Sequence, residues 1–154
     1  MKALLYSTIL AGVLASGSVF AAADSAPAEP KDPVLEKVSA ATARKDWEAA
    51  QAALVPALAA NPQNASYHNL YAYSIRKGAN PDMSLVFKHY NEALRIDPKH
   101  KGAHEYIGEA YLMIGNVAKA KEHLAQLDKL CFFTCSEFND LKKAIAEHEK
   151  TAKR

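Results

Sequence analysis

The sequence predicts an all-α fold, a stack of about three helix pairs closed by one further helix. Three observations carry this. Ala, Leu, Lys and Glu fill helical spacing, and β-branched residues never alternate over a useful length. Self-comparison finds a repeat of about 34 residues, the signature of a helical solenoid. Short turns with Gly, Pro, Asp or Asn ("KDW", "KGANPDM", "IGNV") separate the helical stretches inside each copy.

From the N-terminus, Met1-Lys2 and "ALLYSTILAGVLASGSVF" give a positive start and an apolar stretch that ends in small residues, the anatomy of a secretory signal. Cleavage is expected after Ala23 or Ala21, with no Cys there for lipidation. The signal segment is assigned to residues 1–23. A Pro/Ala-rich leader, 24–32, follows without periodic apolar residues and is expected to be disordered. The folded domain then runs from 33 to 150, a single domain long enough to bury a core.

The copies are assigned to about 31–64, 65–100 and 101–134. The first contains "ARKDWEAAQAALVPALAANP", with Ala50, Leu54, Ala57 and Pro62 at its repeat positions. The second contains "FKHYNEALRIDP" with the helix before it, and Ala72, Val86, Tyr90, Ala93 and Pro98 take the matching places. The third, "HEYIGEAYLMIGNVAKAKEHLAQLDKL", offers Ile107, Gly108, Tyr111, Gly115, Ala120, Leu124 and Leu127. Gly108 and Ala120 are expected where the two antiparallel helices of that copy approach closely. A capping helix, about 135–150, buries Leu141, Ile145 and Phe138 and turns Lys142, Lys143, Glu147 and Glu149 to water.

This pattern of small and large positions resembles the tetratricopeptide repeat, and the Leu-Cys-x3-Cys turn before a last helix resembles short secreted bacterial proteins of that type. The resemblance covers most of the chain after the leader. It departs in the first copy, whose leading helix lacks the large-small pair, and in the second, whose inner turn is about two residues long. It implies a right-handed α-solenoid that binds a peptide or helix on the concave face formed by the first helix of each repeat. The residues it places there are Asn69, Tyr73, Arg76 and Lys77, then Glu105, Tyr106, Glu109, Leu112 and Met113. Tyr71, Tyr90 and Tyr111 are read as interhelical filling; a one-residue shift of register around "NLYAY" would exchange Tyr71 and Tyr73. The clamp that such repeats use for a terminal carboxylate is absent: its places hold Leu35, Ser39, Gly102 and Tyr106.

Cys131 and Cys135 are the only cysteines. In an exported protein they are expected to pair, as a staple worth about 2 kcal/mol that fixes the angle of the last helix. Thr134 as N-cap and Glu137 three residues on suggest a capping box, with Cys135 the first helical residue. Two competing readings use the same pair: a soft-metal site for an ion such as Cu(I), with Met113 or His123, or a reactive thiol at a helix start. C-x3-C without a βαβ pattern is not the redox motif, and zinc would need further ligands.

No catalytic constellation stands out. "HEYIG" lacks the second His of a zincin helix, and there is no nucleophile elbow or phosphate loop. His100 and His104 straddle a helix boundary and need not share a face; the histidines are read as surface or interhelical residues. Asn64-Ala65-Ser66 is a formal glycosylation sequon. Setting Lys2 aside leaves 18 basic side chains against 17 acidic ones, a balance that argues against nucleic acid or anionic lipid as partner. The leading expectation is a non-enzymatic periplasmic or secreted module, without cofactor or metal and without stable membrane insertion after signal cleavage, that holds a protein or peptide. A small copper-binding or thiol-redox protein using Cys131 and Cys135 is the alternative. Self-association through an open end of the stack is a third reading.

Overall fold

The computed structural model describes residues 32–133 and 135–152. The signal segment and nearly all of the leader lie outside these residues, as does Thr134. Among the described residues the chain forms seven α-helices and no strand: α1 (Pro33–Ala43), α2 (Trp47–Ala60), α3 (Ala65–Lys77), α4 (Met83–Ile96), α5 (Lys101–Met113), α6 (Val117–Leu130) and α7 (Ser136–Thr151).

The helix starts follow directly from local chemistry. Asp32, Asp46, Asn64, Asp82 and Asn116 each accept backbone N–H groups of the next turn, which satisfies donors a helix start leaves open. Asp32, assigned above to the leader, is therefore part of the fold, and Tyr67 Oη donates to its other oxygen at 2.7 Å. His100 caps α5 in the same way, its Nδ1 accepting from Ala103 N at 3.1 Å. The last helix differs from expectation. Cys135 is its N-cap in extended backbone, makes no side-chain cap, and leaves Ser136 as the first helical residue.

Two of the inner turns share one geometry. Lys45 and Gly115 both adopt positive φ, 57° and 75°. The next residue's N–H reaches back to the preceding helix, Asp46 to Ala41 O and Asn116 to Tyr111 O. Gly115 suits this left-handed position because it has no Cβ; Lys45 holds it without that advantage.

Each helix packs on its sequence neighbour. Beyond that, α1 touches α3, α3 touches α5, and α5 touches α7, whereas the even-numbered helices do not touch one another. The odd helices are thus side by side. The apolar interior is divided into three clusters: Val38, Ala50 and Leu54 under the first helices, Ala72, Val86, Tyr90 and Ile107 in the middle, and Ala120, Leu127, Leu141 and Ile145 at the end. Of the repeat positions read from sequence, Ala50, Leu54, Ala57, Ala72, Val86, Tyr90, Ala93, Ile107, Gly108, Ala120 and Leu127 are buried, Tyr111 and Leu124 are half-buried, and the turn residues Pro62, Pro98 and Gly115 are exposed.

One expectation is corrected. A Cβ on Gly108 would lie 2.6 Å from Leu141 Cδ2 and 2.8 Å from Cδ1, so it is α7 that requires the glycine. At Gly108 the close approach is to the last helix rather than to α6, although α5 and α6 are themselves packed together. The cysteines form a disulfide, Cα to Cα 5.8 Å, between the end of α6 and the start of α7. Within that turn Phe132 and Phe133 are almost fully exposed. Lys121 on α6 and Glu149 on α7 pair at 2.6 Å, a second tie between these helices.

Candidate functional site

The side-by-side packing of α3 and α5 sets the geometry of the site. Tyr73 on α3 and Tyr106 on α5 meet with ring centroids 4.6 Å apart, and Trp47 at the start of α2 lies edge-on to Tyr73 at 5.8 Å. The guanidinium of Arg76, one turn beyond Tyr73, lies 5.5 Å from the Tyr73 ring centroid and 5.7 Å from that of Tyr106. It donates to Glu109 Oε2 at 2.6 Å and, through Nε, to Tyr90 Oη at 3.3 Å. A buried cation is thereby balanced by a carboxylate, a hydroxyl and two aromatic faces. Burial raises the phenol pKa values of Tyr73 and Tyr106, so both are neutral hydrogen-bonding groups at ordinary pH.

Asn69 and Glu105 extend this strip. Asn69, one turn before Tyr73, is 4% exposed, and its Oδ1 has no hydrogen-bond partner among the described residues. Glu105 is 8% exposed and has no hydrogen bond or ion pair there either. Burial, then the carboxylates of Glu109, Asp140 and Glu137, push its pKa up to about 8, with Arg76 opposing.

The structure therefore gathers Asn69, Tyr73, Arg76, Glu105, Tyr106 and Glu109 on one strip but buries more of them than the resemblance implied. Asn69, Arg76, Glu105 and Leu112 are buried, because neighbouring odd helices close over their flanks. Tyr73, Tyr106 and Glu109 are half-buried, while Lys77 is exposed and takes no part in the cluster. Met113, about half exposed, borders a hollow with Arg76 and Glu109 that Ala144 and His148 of α7 close on the far side. Tyr71 packs toward α4, edge-on to His89 at 4.8 Å, so the register that puts Tyr73 on the α5 side holds.

Trp47 was read only as part of a turn, and its place beside Tyr73 depends on α2 meeting α3. Two histidine pairs were also missed. His68 Nε2 donates to Pro62 O at 3.0 Å, since a carbonyl can only accept; its Nδ1 is then the acceptor for His89 Nδ1–H at 2.8 Å. His104, Pro98 and His123 repeat the arrangement at 3.1 and 3.0 Å. Burial first, then the facing histidine, lowers the pKa of both His89 and His123 to about 4. The signal was present as the recurrence of Asn/Asp-Pro followed six residues later by His, at Pro62 and His68 and again at Pro98 and His104. His100, whose Nε2 faces Ser66 Oγ at 3.4 Å, caps α5 and belongs to neither pair.

The cysteines are joined to each other, and the Nδ1 of His123 is engaged by His104. Among the described residues no group of three or more His, Cys, Asp or Glu side chains is arranged to hold a metal ion, and no helix is long and apolar enough to cross a membrane. No protein-family model matches this chain, and no curated protein matches it either.

Proposed function

We propose that this chain is a non-enzymatic interaction module: a short tetratricopeptide-like, right-handed α-solenoid of three helix pairs and a cap. It is exported to the bacterial periplasm and holds a partner peptide or helix on the face formed by its odd-numbered helices. The observation that carries the binding role is the ladder Trp47–Tyr73–Tyr106 with Arg76 set against it. Half-buried aromatic residues and arginine are the groups that dominate protein recognition energies, because they offer large rigid areas with a polar edge. Support for the repeat reading comes from the duplicated Pro–His–His arrangement and the duplicated turn at Lys45 and Gly115. The export reading rests on the signal anatomy of residues 1–23 and on two paired cysteines, which persist in oxidising compartments.

The test is capture of partners from an envelope extract by the wild-type protein and by Tyr73→Ala and Tyr106→Ala. Loss of a half-buried aromatic anchor is expected to weaken capture at least tenfold while far-UV circular dichroism stays that of the wild type. Capture unchanged in both variants would refute a binding role for this face.

A further inference from the structure

Arg76 demonstrates what this face can do with a cation. The residue is 93% buried, and Glu109, Tyr90 and the rings of Tyr73 and Tyr106 surround its guanidinium. Glu105 stands one helical turn before Glu109 on α5 and has the same surroundings on one side, with no cation of its own. With the residue only 8% exposed, its carboxyl is largely withdrawn from water, and a carboxylate in that position without a partner is costly to keep. Asn69 carries a second unmet demand. It lies beside the opening turn of α5, where a Cβ on Gly102 would sit 3.4 Å from its Nδ2, and its Oδ1 is a buried acceptor without a donor.

Two acceptors on one strip, Asn69 Oδ1 buried without a donor and the carboxyl of Glu105 in a residue only 8% exposed, ask for the same thing: a group that brings several N–H donors. The charge around them says which. The groups facing Glu105 are Tyr73 and Arg76 from α3, Tyr106 and Glu109 from α5, and Glu137 and Asp140 from α7. That leaves a single resident cation, already paired with Glu109, among four carboxylates.

Resting on the reading of this face as a peptide-binding surface, we infer that it receives one lysine or arginine side chain of the partner, with Glu105 as its counter-ion and Asn69 Oδ1 as a further acceptor. The aliphatic stem would lie along the Tyr73 and Tyr106 rings, as the stem of a long cation does on an apolar face. The proton balance is explicit. Near neutral pH Glu105 holds a proton, because its pKa is about 8. When the cation docks, the carboxyl gives that proton to solvent and its carboxylate accepts N–H bonds from the ligand. Binding is therefore linked to release of about one proton per peptide near pH 7.

The test is selection from a displayed library of random heptapeptides on the purified protein, keeping peptides that fail to bind Tyr73→Ala. The expected peptides share Lys or Arg at one fixed position. Replacing that residue by norleucine, or using Glu105→Gln, weakens binding at least tenfold, the scale of a lost charge-assisted hydrogen bond. Calorimetry of the selected peptide in buffers of different ionisation enthalpy reads the proton release, which disappears in Glu105→Gln. Glutamine has the shape of the protonated acid, so the fold is expected to survive, and the norleucine peptide tests the same contact without altering the protein. Peptides that need Tyr73 but carry no fixed cation, or that bind Glu105→Gln unchanged, overturn this inference and leave the binding face standing. If no peptide depends on Tyr73, the binding face falls and the inference with it.

Discussion

Gly108→Ala tests the packing that holds the last helix. The added methyl would sit 2.6, 2.8 and 3.3 Å from Cδ2, Cδ1 and Cγ of Leu141, against an ordinary carbon–carbon contact of roughly 3.5–4.0 Å. Leu141 has no exposed surface, and both of its methyls are too close, so turning one away does not relieve the other. Overpacking of this kind costs about 1–3 kcal/mol, toward the upper end where two atoms collide. Alanine in place of a mid-helix glycine returns about 1 kcal/mol of helix propensity. The expected net is a loss of about 2 kcal/mol, or roughly 5–10 °C in Tm for a domain of this size. Leu141→Ala alone is expected to cost about 2–5 kcal/mol through lost burial and a cavity. In the double variant the colliding carbons are gone, so its cost should fall below the sum of the singles by about 1–2 kcal/mol. The assay is urea unfolding followed by circular dichroism on all four proteins. A stabilised Gly108→Ala, with additive behaviour in the cycle, would show that propensity alone acts there and that α5 and α7 do not meet at this point.

Acid should destabilise the protein through the histidine pairs. The folded pKa values of His89 and His123, about 4, lie below the ordinary value of 6.5, so between those limits the unfolded chain binds more protons. Their contribution is complete above about pH 6.5 and is lost as the pH falls through 4; water around these half-buried rings limits it to about 1–2 kcal/mol each. Glu105 acts in the opposite sense, its contribution being present below about pH 4.5 and lost as the pH rises through 8. The informative comparison is therefore with His89→Asn/His123→Asn, whose amides keep a donor at the Nδ1 position. Its urea midpoint should fall less than the wild type's between pH 7 and 4.5, and an equal fall would exclude the pairs as the cause. The cysteines give a direct check: intact mass of the protein from its own compartment, before and after alkylation without reductant, should show no labelling. Two alkylated thiols would refute the staple, and reduction of a true one should lower stability by about 2 kcal/mol.

Much of the fold was readable because helix periodicity, caps and turns are local. Asp46, Asn64, Asp82 and Asn116 act on neighbours within three residues, and those short-range bonds leave their mark as an amide or carboxylate before an apolar run. Ala72, Val86, Tyr90 and Ala93 were legible as interior for a related reason: close helix packing needs small and large residues at fixed spacing. The start of α7 was misplaced by one residue, since Cys135 caps without a side-chain bond and so leaves no such mark.

The sequence by itself determined the all-helical class, the order of the helices, the small and large apolar positions at the centre of each helix pair and the pairing partners of the cysteines. Only the tertiary structure decided that Gly108 serves Leu141, that His68 and His104 each face a second histidine, and that Trp47 joins Tyr73 and Tyr106. It alone also decided that Asn69 and Glu105 are buried without partners while Lys77 stays in water. The physical reason is distance along the chain. Caps and periodicity are settled within one or two turns, whereas the donors, acceptors and charges around Glu105 come from α3, α5 and α7, which meet only when the odd-numbered helices pack side by side.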